Sequence, residues 1–374
     1  MHKIFLILVL VVTTSCASST EPLEPEKKLE SQIDLDSPTF FRLVEGNIER
    51  RSTSGRYFST DSRIGEDFSQ IRGNAYTNFN NFMRRENSNN LAISVVIRPG
   101  VPKELADYSI AQIKGAALFW DYLFHKGSKL DILLVTEKDS DYMENAGRDY
   151  VTNLDSFNRI GQIDKNYGNT WIMGEVRSSR NSSRFKSKLI LATPSFATTD
   201  RMQNGWIQVP AHEIFHVIFD YYMSQRPVQS EDEYFGRAPQ HFIEGGANYF
   251  SYSYAMKNLG WYSDGLDVSL SLTWRNLESW KPVRNEADIV NLLIATENSW
   301  PQPAFEASYS VGAIFLEWIV GKYGMEALKK ILENLAMGIS FDANLKSSIG
   351  LSKEEAYRMS APYLLSIFER LGLD

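Results

Sequence analysis

The stretch from Pro210 to Phe219 constrains this chain more than any other, because it is apolar on nearly every side and yet carries two histidines at helical spacing. In His212-Glu213-Ile214-Phe215-His216 the imidazoles stand at i and i+4, so a helix stacks them on one face, a turn apart. Ile214, Phe215, Val217, Ile218 and Phe219 ask for burial on the remaining faces. A buried helix with two imidazoles on one side must give their nitrogens a partner, and one metal ion shared by both is such a partner. Glu213 projects about a quarter turn away, where it suits proton transfer better than ligation. Pro210 fits a first helical turn, where its missing N–H is unpaired in any residue. Three fixed positions also arise by chance, so the pattern gains meaning only from a third ligand nearby.

Glu244 is that candidate. It lies in His241-Phe242-Ile243-Glu244-Gly245-Gly246-Ala247-Asn248-Tyr249, a carboxylate inside an apolar segment whose small residues let one helix approach another. A catalytic zinc site uses three protein ligands and keeps an open position, and His212, His216 and Glu244 supply such a set. A surface or capping role for Glu244 is the competing reading. A structural site would want a fourth ligand, for which the neighbourhood offers no cysteine and only His241.

The pairing of H-E-x-x-H with a later F-x-E-G-x-A-x-Y resembles the gluzincin peptidases, the clan of thermolysin-like enzymes and M1-type aminopeptidases. The resemblance spans about residues 206–324. It implies a zincin-type catalytic half, a single zinc ion on His212, His216 and Glu244, and Glu213 as general base. Asn248, one turn past Glu244, stands where gluzincins often place an acid that supports a ligand histidine. His241 faces roughly the same side as Glu244 and is either a lining residue of the cleft or a satisfied structural histidine. Tyr309-Ser310-Val311-Gly312-Ala313 is similar to the Y-x-x-G-A segment of M1-like peptidases, which makes Tyr309 a candidate for stabilising the oxyanion. A packing role for Tyr309 is its alternative. Family members also offer substrate an edge strand, and Lys188 to Ala192 is the candidate here. Met143-Glu144-Asn145 echoes the G-x-M-E-N of M1 aminopeptidases, but Asp141-Tyr142 precedes it and its distance from His212 is too great, so it is set aside as coincidence.

The expected fold class is α+β: a mixed N-terminal half with a sheet, then a mainly helical zincin-type catalytic half. Leu91 to Ile97 and Leu130 to Thr136 are β-rich runs, and Ile110, Ile113, Ala117, Trp120 and Phe124 mark one helix face between them, giving a β-α-β order. Beyond Trp206 the periodicity turns helical. Ile314, Phe315, Trp318 and Ile319 form one stripe, Leu328, Ile331, Leu332 and Leu335 another, and Tyr363 to Leu371 a short last helix. Gly321, Gly324 and Gly338 stand where helices should stop. The boundaries that follow are 1–16 for a signal peptide, 17–38 for a disordered tether, 39–205 for the mixed half and 206–374 for the helical, zinc-binding half.

The signal peptide rests on Lys3, the apolar run Ile4 to Val12 and the small residues before Cys16. That run is shorter than the roughly 20 residues a membrane span needs. Cys16, the only cysteine, resembles the lipidated residue that closes a bacterial lipobox, although Thr13 stands where Leu or Val is usual. The expected location is the bacterial cell envelope, lipid-anchored through Cys16 at the outer membrane or cell surface, or otherwise periplasmic or secreted. Lys and Arg number 39 against 46 Asp and Glu, a net charge of −7 without a basic block, which disfavours nucleic acid as a partner. The sequence carries no signal for an oligomeric state. The functional expectation is a zinc metallopeptidase acting on a peptide or protein substrate. A surface lipoprotein that keeps the zinc but only binds peptides or envelope components is the alternative.

Overall fold

The computed structural model describes residues 40–44, 47–50, 66–82, 90–145, 173–181, 184–195, 197, 202–203, 207–256, 258–276, 283–298 and 302–373. The expected signal peptide, the tether and Cys16 lie outside these residues. The fold class is α+β, as the sequence indicated.

Two short strands, β1 (Phe40–Val44) and β2 (Asn47–Arg50), pair antiparallel. Helix α1 (Glu66–Phe82) follows, and then β3 (Leu91–Ile97), α2 (Lys103–Trp120) and β4 (Ser128–Thr136) form the expected β-α-β unit. β3 and β4 run parallel, as a crossover helix requires. A short helix α3 (Ser140–Asn145) leads towards β5 (Met173–Asn181) and β6 (Arg184–Thr193). The larger sheet has the order β3-β4-β6-β5, with β6 parallel to β4 and β5 antiparallel to β6. β7 (Met202–Gln203) joins β1 and β2 in a second, three-stranded sheet.

This order corrects the expected edge. Lys188 to Ala192 pairs with Asp131 to Val135 on one side and with Met173 to Arg177 on the other, so it is interior and has no free edge to offer. Its side chains explain why: Leu189, Ile190, Leu191 and Ala192 are all buried, the continuous apolar run of a strand covered on both faces. Among the described residues the outermost strand beside it is β5, Met-Gly-Glu-Val-Arg-Ser-Ser-Arg-Asn, which pairs with β6 alone.

Nine helices follow among the described residues: α4 (Val209–Met223), α5 (Glu231–Arg237), α6 (Gln240–Ala255), α7 (Leu259–Asn276), α8 (Glu286–Ala295), α9 (Gln302–Tyr323), α10 (Met325–Leu335), α11 (Phe341–Ile349) and α12 (Lys353–Leu371). Every α4 residue is buried except Asp220, which is half-buried with its carboxylate turned inward, as befits a helix apolar on nearly every side. It packs on α2, on β5 and on α6, while α6 lies along α9. Two glycines set that last contact. A Cβ on Gly245 would fall 2.2 Å from the Gly312 carbonyl carbon, and one on Gly312 would fall 2.0 Å from the His241 carbonyl oxygen. The backbones therefore touch, and any side chain would push apart the two helices that carry Glu244 and Tyr309.

Two details differ from expectation. Gly321 does not stop a helix; it lies inside α9, where a Cβ would meet the Ile71 carbonyl oxygen of α1 at 2.4 Å. Gly324 and Gly338 do sit at helix ends with positive φ, of 81° and 68°. The last helix begins at Lys353, because α12 runs through Pro362 rather than starting after it. A capping box between Ser352 and Glu355 fixes its start. No helix among the described residues is long and apolar enough to cross a membrane.

Candidate metal centre

α4 places His212 and His216 on one face, and their rings lie 4.8 Å apart between centroids. Glu244 reaches in from α6. His212 Nε2 and His216 Nε2 are 3.1 Å apart, and Glu244 Oε2 lies 3.4 Å from each. Ligand atoms held tetrahedrally at 2.0–2.1 Å around one ion would be separated by about 3.3 Å. The three side chains thus already stand at the corners of such a polyhedron, fully enclosed by protein.

The proton positions follow from the surrounding hydrogen bonds. Asn248 Nδ2 donates to the Tyr309 carbonyl oxygen at 3.2 Å, and a carbonyl can only accept. Asn248 Oδ1 therefore faces His212 Nδ1 at 2.9 Å, which makes that nitrogen the donor and leaves Nε2 with its lone pair towards Glu244 and His216. Gln208 Nε2 also donates to Asn248 Oδ1, at 3.3 Å. Gln240 Nε2 donates to Glu244 Oε1 at 3.2 Å, fixing the carboxylate from its other side. His216 Nε2 faces both the His212 lone pair and Glu244 Oε2, so a proton on His216 or a shared cation is what these groups can hold in common. Burial works against ionised Glu244, but His216 and His212 outweigh it and hold its carboxyl down at about 2.

Glu213 lies between α4 and the sheet edge. A Cβ on Gly174 of β5 would fall 2.2 Å from Glu213 Oε1, so the carboxylate rests directly on the backbone of that strand. Neither Glu213 oxygen has a hydrogen-bond partner among the described residues. Burial pushes its carboxyl up to about 8; His212 opposes this, while Glu244 and Glu175 add to it. Tyr309 lays its ring nearly parallel to His212, 14° from coplanar at 5.9 Å. Its hydroxyl is buried beside Glu244 and makes no other hydrogen bond among the described residues. Burial, then the Glu244 and Glu213 carboxylates, raise this phenol well above its ordinary range.

The structure thus brings together His212, Glu213, His216, Glu244, Asn248 and Tyr309. It does not bring in His241. That ring turns away from the centre, with Nδ1 at 3.3 Å from the Thr296 carbonyl oxygen and Nε2 at 3.2 Å from the Tyr357 hydroxyl, and burial lowers it to about 3, so it is a neutral packing group. At i−3 from Glu244 it sits far enough round the helix to face α12 instead. Met143-Glu144-Asn145 belongs to the short helix α3.

Sequence reading missed three contributors. Gly174 and Glu175 belong to a strand whose polar pattern hid it, and Glu175 is almost fully buried beside the cluster. Asp220 follows His216 by one turn, a spacing that was visible; burial holds it up at about 6, with Ser178 of β5 and His216 pulling the other way. Comparisons of the chain with protein-family models, with curated proteins and with solved structures found no match.

Proposed function

We propose that the chain is a zinc-dependent peptidase, with zinc held by His212, His216 and Glu244. One observation carries the reading: three buried ligand atoms stand 3.1–3.4 Å apart at one point, and beside them the Glu213 carboxylate, without a hydrogen-bond partner among the described residues, rests on the backbone of β5, the outermost described strand of the sheet. Two imidazoles and one carboxylate are a donor set that suits zinc and leaves a position open. When bound, zinc supplies a Lewis acid that polarises a carbonyl and acidifies water.

The remaining chemistry belongs to the chain's own groups. Glu213 takes a proton from the attacking water on its carboxylate and delivers it to the leaving amine nitrogen. Tyr309 Oη, buried beside Glu244, donates to the oxygen on which negative charge develops. Asn248 holds His212 with Nε2 directed inward. β5 replaces Lys188 to Ala192 as the strand whose backbone an extended peptide would join, and Gly174 brings that backbone up to Glu213.

The test is cleavage of a mixed peptide library by the full chain and its Glu213→Gln form, with zinc measured in both. The expectation is about one zinc per chain in each, chelator-sensitive cutting by the native form, and a fall of about 10²- to 10⁴-fold in the variant. Zinc without cutting in the native form would favour the non-catalytic binding protein. We further propose export and lipid anchoring at Cys16, supported by the Ile4 to Val12 run before it. Cys16→Ser should then abolish incorporation of labelled fatty acid and release the protein from membranes.

A further inference from the structure

Asn248 is almost fully buried, and its two polar atoms face different parts of the site. Oδ1 accepts from His212 Nδ1 at 2.9 Å and from Gln208 Nε2 at 3.3 Å. Nδ2 donates to the main-chain oxygen of Tyr309 at 3.2 Å. The first bond orients a metal ligand on α4. The second reaches α9 in the turn that carries the tyrosine, whose ring then lies parallel to His212. An aspartate here would serve the histidine at least as well, yet it has no proton to give the Tyr309 carbonyl and would set a carboxylate against that oxygen.

We propose that Asn248 is a positioning residue with two separable tasks, coupling the His212 ligand to the Tyr309 main chain, and that this site requires the amide rather than an acid. Loss of the oxygen loosens the metal ligand. Loss of the N–H donor frees the turn of α9 around Tyr309. The inference rests on the peptidase reading only for what Tyr309 does in turnover. Both tests below are made without substrate, so a native chain that cuts nothing would end that reading and leave this one standing.

The experiment uses the full chain with Co²⁺ as the probe metal. Affinity is read from the visible absorption of the bound ion, and amide hydrogen exchange is followed across Glu306 to Ala313. Asn248→Ala should weaken Co²⁺ by about 10- to 100-fold, as loss of a partner to a ligand histidine does, and should speed exchange in that segment. Asn248→Asp separates the tasks. Its Co²⁺ affinity should stay within about threefold of the native value, since His212 keeps an acceptor, while exchange accelerates as it does in the alanine form. Asn248→Leu fills a similar volume with neither group and must move both readouts, which keeps the idea testable if the aspartate form does not fold. Native-like exchange in the aspartate or leucine form, or native Co²⁺ affinity in the alanine form, overturns the proposal.

Discussion

Helix α9 passes two buried polar clusters, and the two are completed in different ways. Past its midpoint it contributes Glu317, which receives Arg72 Nε at 2.9 Å and Arg72 Nη2 at 3.2 Å from α1, and the Tyr363 hydroxyl at 2.5 Å from α12. Arg72 Nη1 turns to Asp267 of α7 at 2.8 Å, and Arg370 of α12 meets the other oxygen of Asp267 at 2.6 Å. Every carboxylate oxygen in that cluster faces a cation or a phenol. Burial opposes the charge on Arg72, but Asp267 and Glu317 hold the guanidinium well above its usual range. Near the start of the same helix, Tyr309 borders a cluster with two carboxylates and two imidazoles, in which neither Glu213 oxygen has a hydrogen-bond partner among the described residues. The first cluster is neutral and its acids are finished by the protein's own arginines, although Arg370 Nε keeps no hydrogen-bond partner among the described residues, so it ties helices together. The second holds no arginine or lysine among the described residues, and in the zinc reading proposed above the ion would complete it.

The largest effect should come from opening the finished cluster. Arg72→Met leaves Glu317 buried without a cation and Asp267 with Arg370 alone, which costs about 3–5 kcal/mol in comparable cases. Denaturant unfolding checks this, and a loss under about 1 kcal/mol would mean that the network does not brace the fold. Zinc affinity should be unchanged. Completing the unfinished cluster should have a somewhat smaller effect of opposite sign. Zinc at about a hundredfold excess over its dissociation constant should raise stability by roughly 2.7 kcal/mol, and His212→Ala or Glu244→Ala should remove that gain. If zinc stabilises those variants as much as the native chain, the metal sits elsewhere.

The unfinished cluster was the more legible of the two in the sequence, for a physical reason. Its residues lie on two helices with fixed local spacing, so His212, Glu213, His216 and Glu244 could be read from periodicity and from acids placed among apolar neighbours. The finished cluster joins Arg72, Asp267, Glu317 and Arg370, which no local pattern connects and which only tertiary packing brings together. The sheet edge was misread for a related reason. Apolar content marks Lys188 to Ala192 as a strand, and the same content places it in the interior, whereas β5, the outermost described strand, is polar and resembles a loop. The β-α-β unit and the helical second half were legible because each depends on a long apolar period. Gly321 shows the limit, since a stop and a close approach use the same residue.

The smallest effect, and the one that separates the clusters most directly, is the pH dependence of Glu213. Its carboxyl titrates at about 8 in the folded, metal-free chain, against an ordinary 4.5 once unfolded. Between those values the folded chain keeps a proton that the unfolded chain has released. The contribution of this group to stability is therefore complete below about 4.5 and is lost as pH rises through about 8. A glutamine in its place has no such titration. The metal-free Glu213→Gln form should match the native chain near pH 4.5 and become the more stable of the two as pH approaches 8.5, by on the order of 1–3 kcal/mol for a buried carboxylate left without a partner. Saturating zinc should narrow or reverse that gap, because a cation beside Glu213 favours its charged form. Thermal unfolding of both forms from pH 4.5 to 8.5, with and without zinc, decides the matter. A difference that stays flat with pH in the metal-free pair would mean that Glu213 is already satisfied within the fold, and the contrast between the two clusters would collapse.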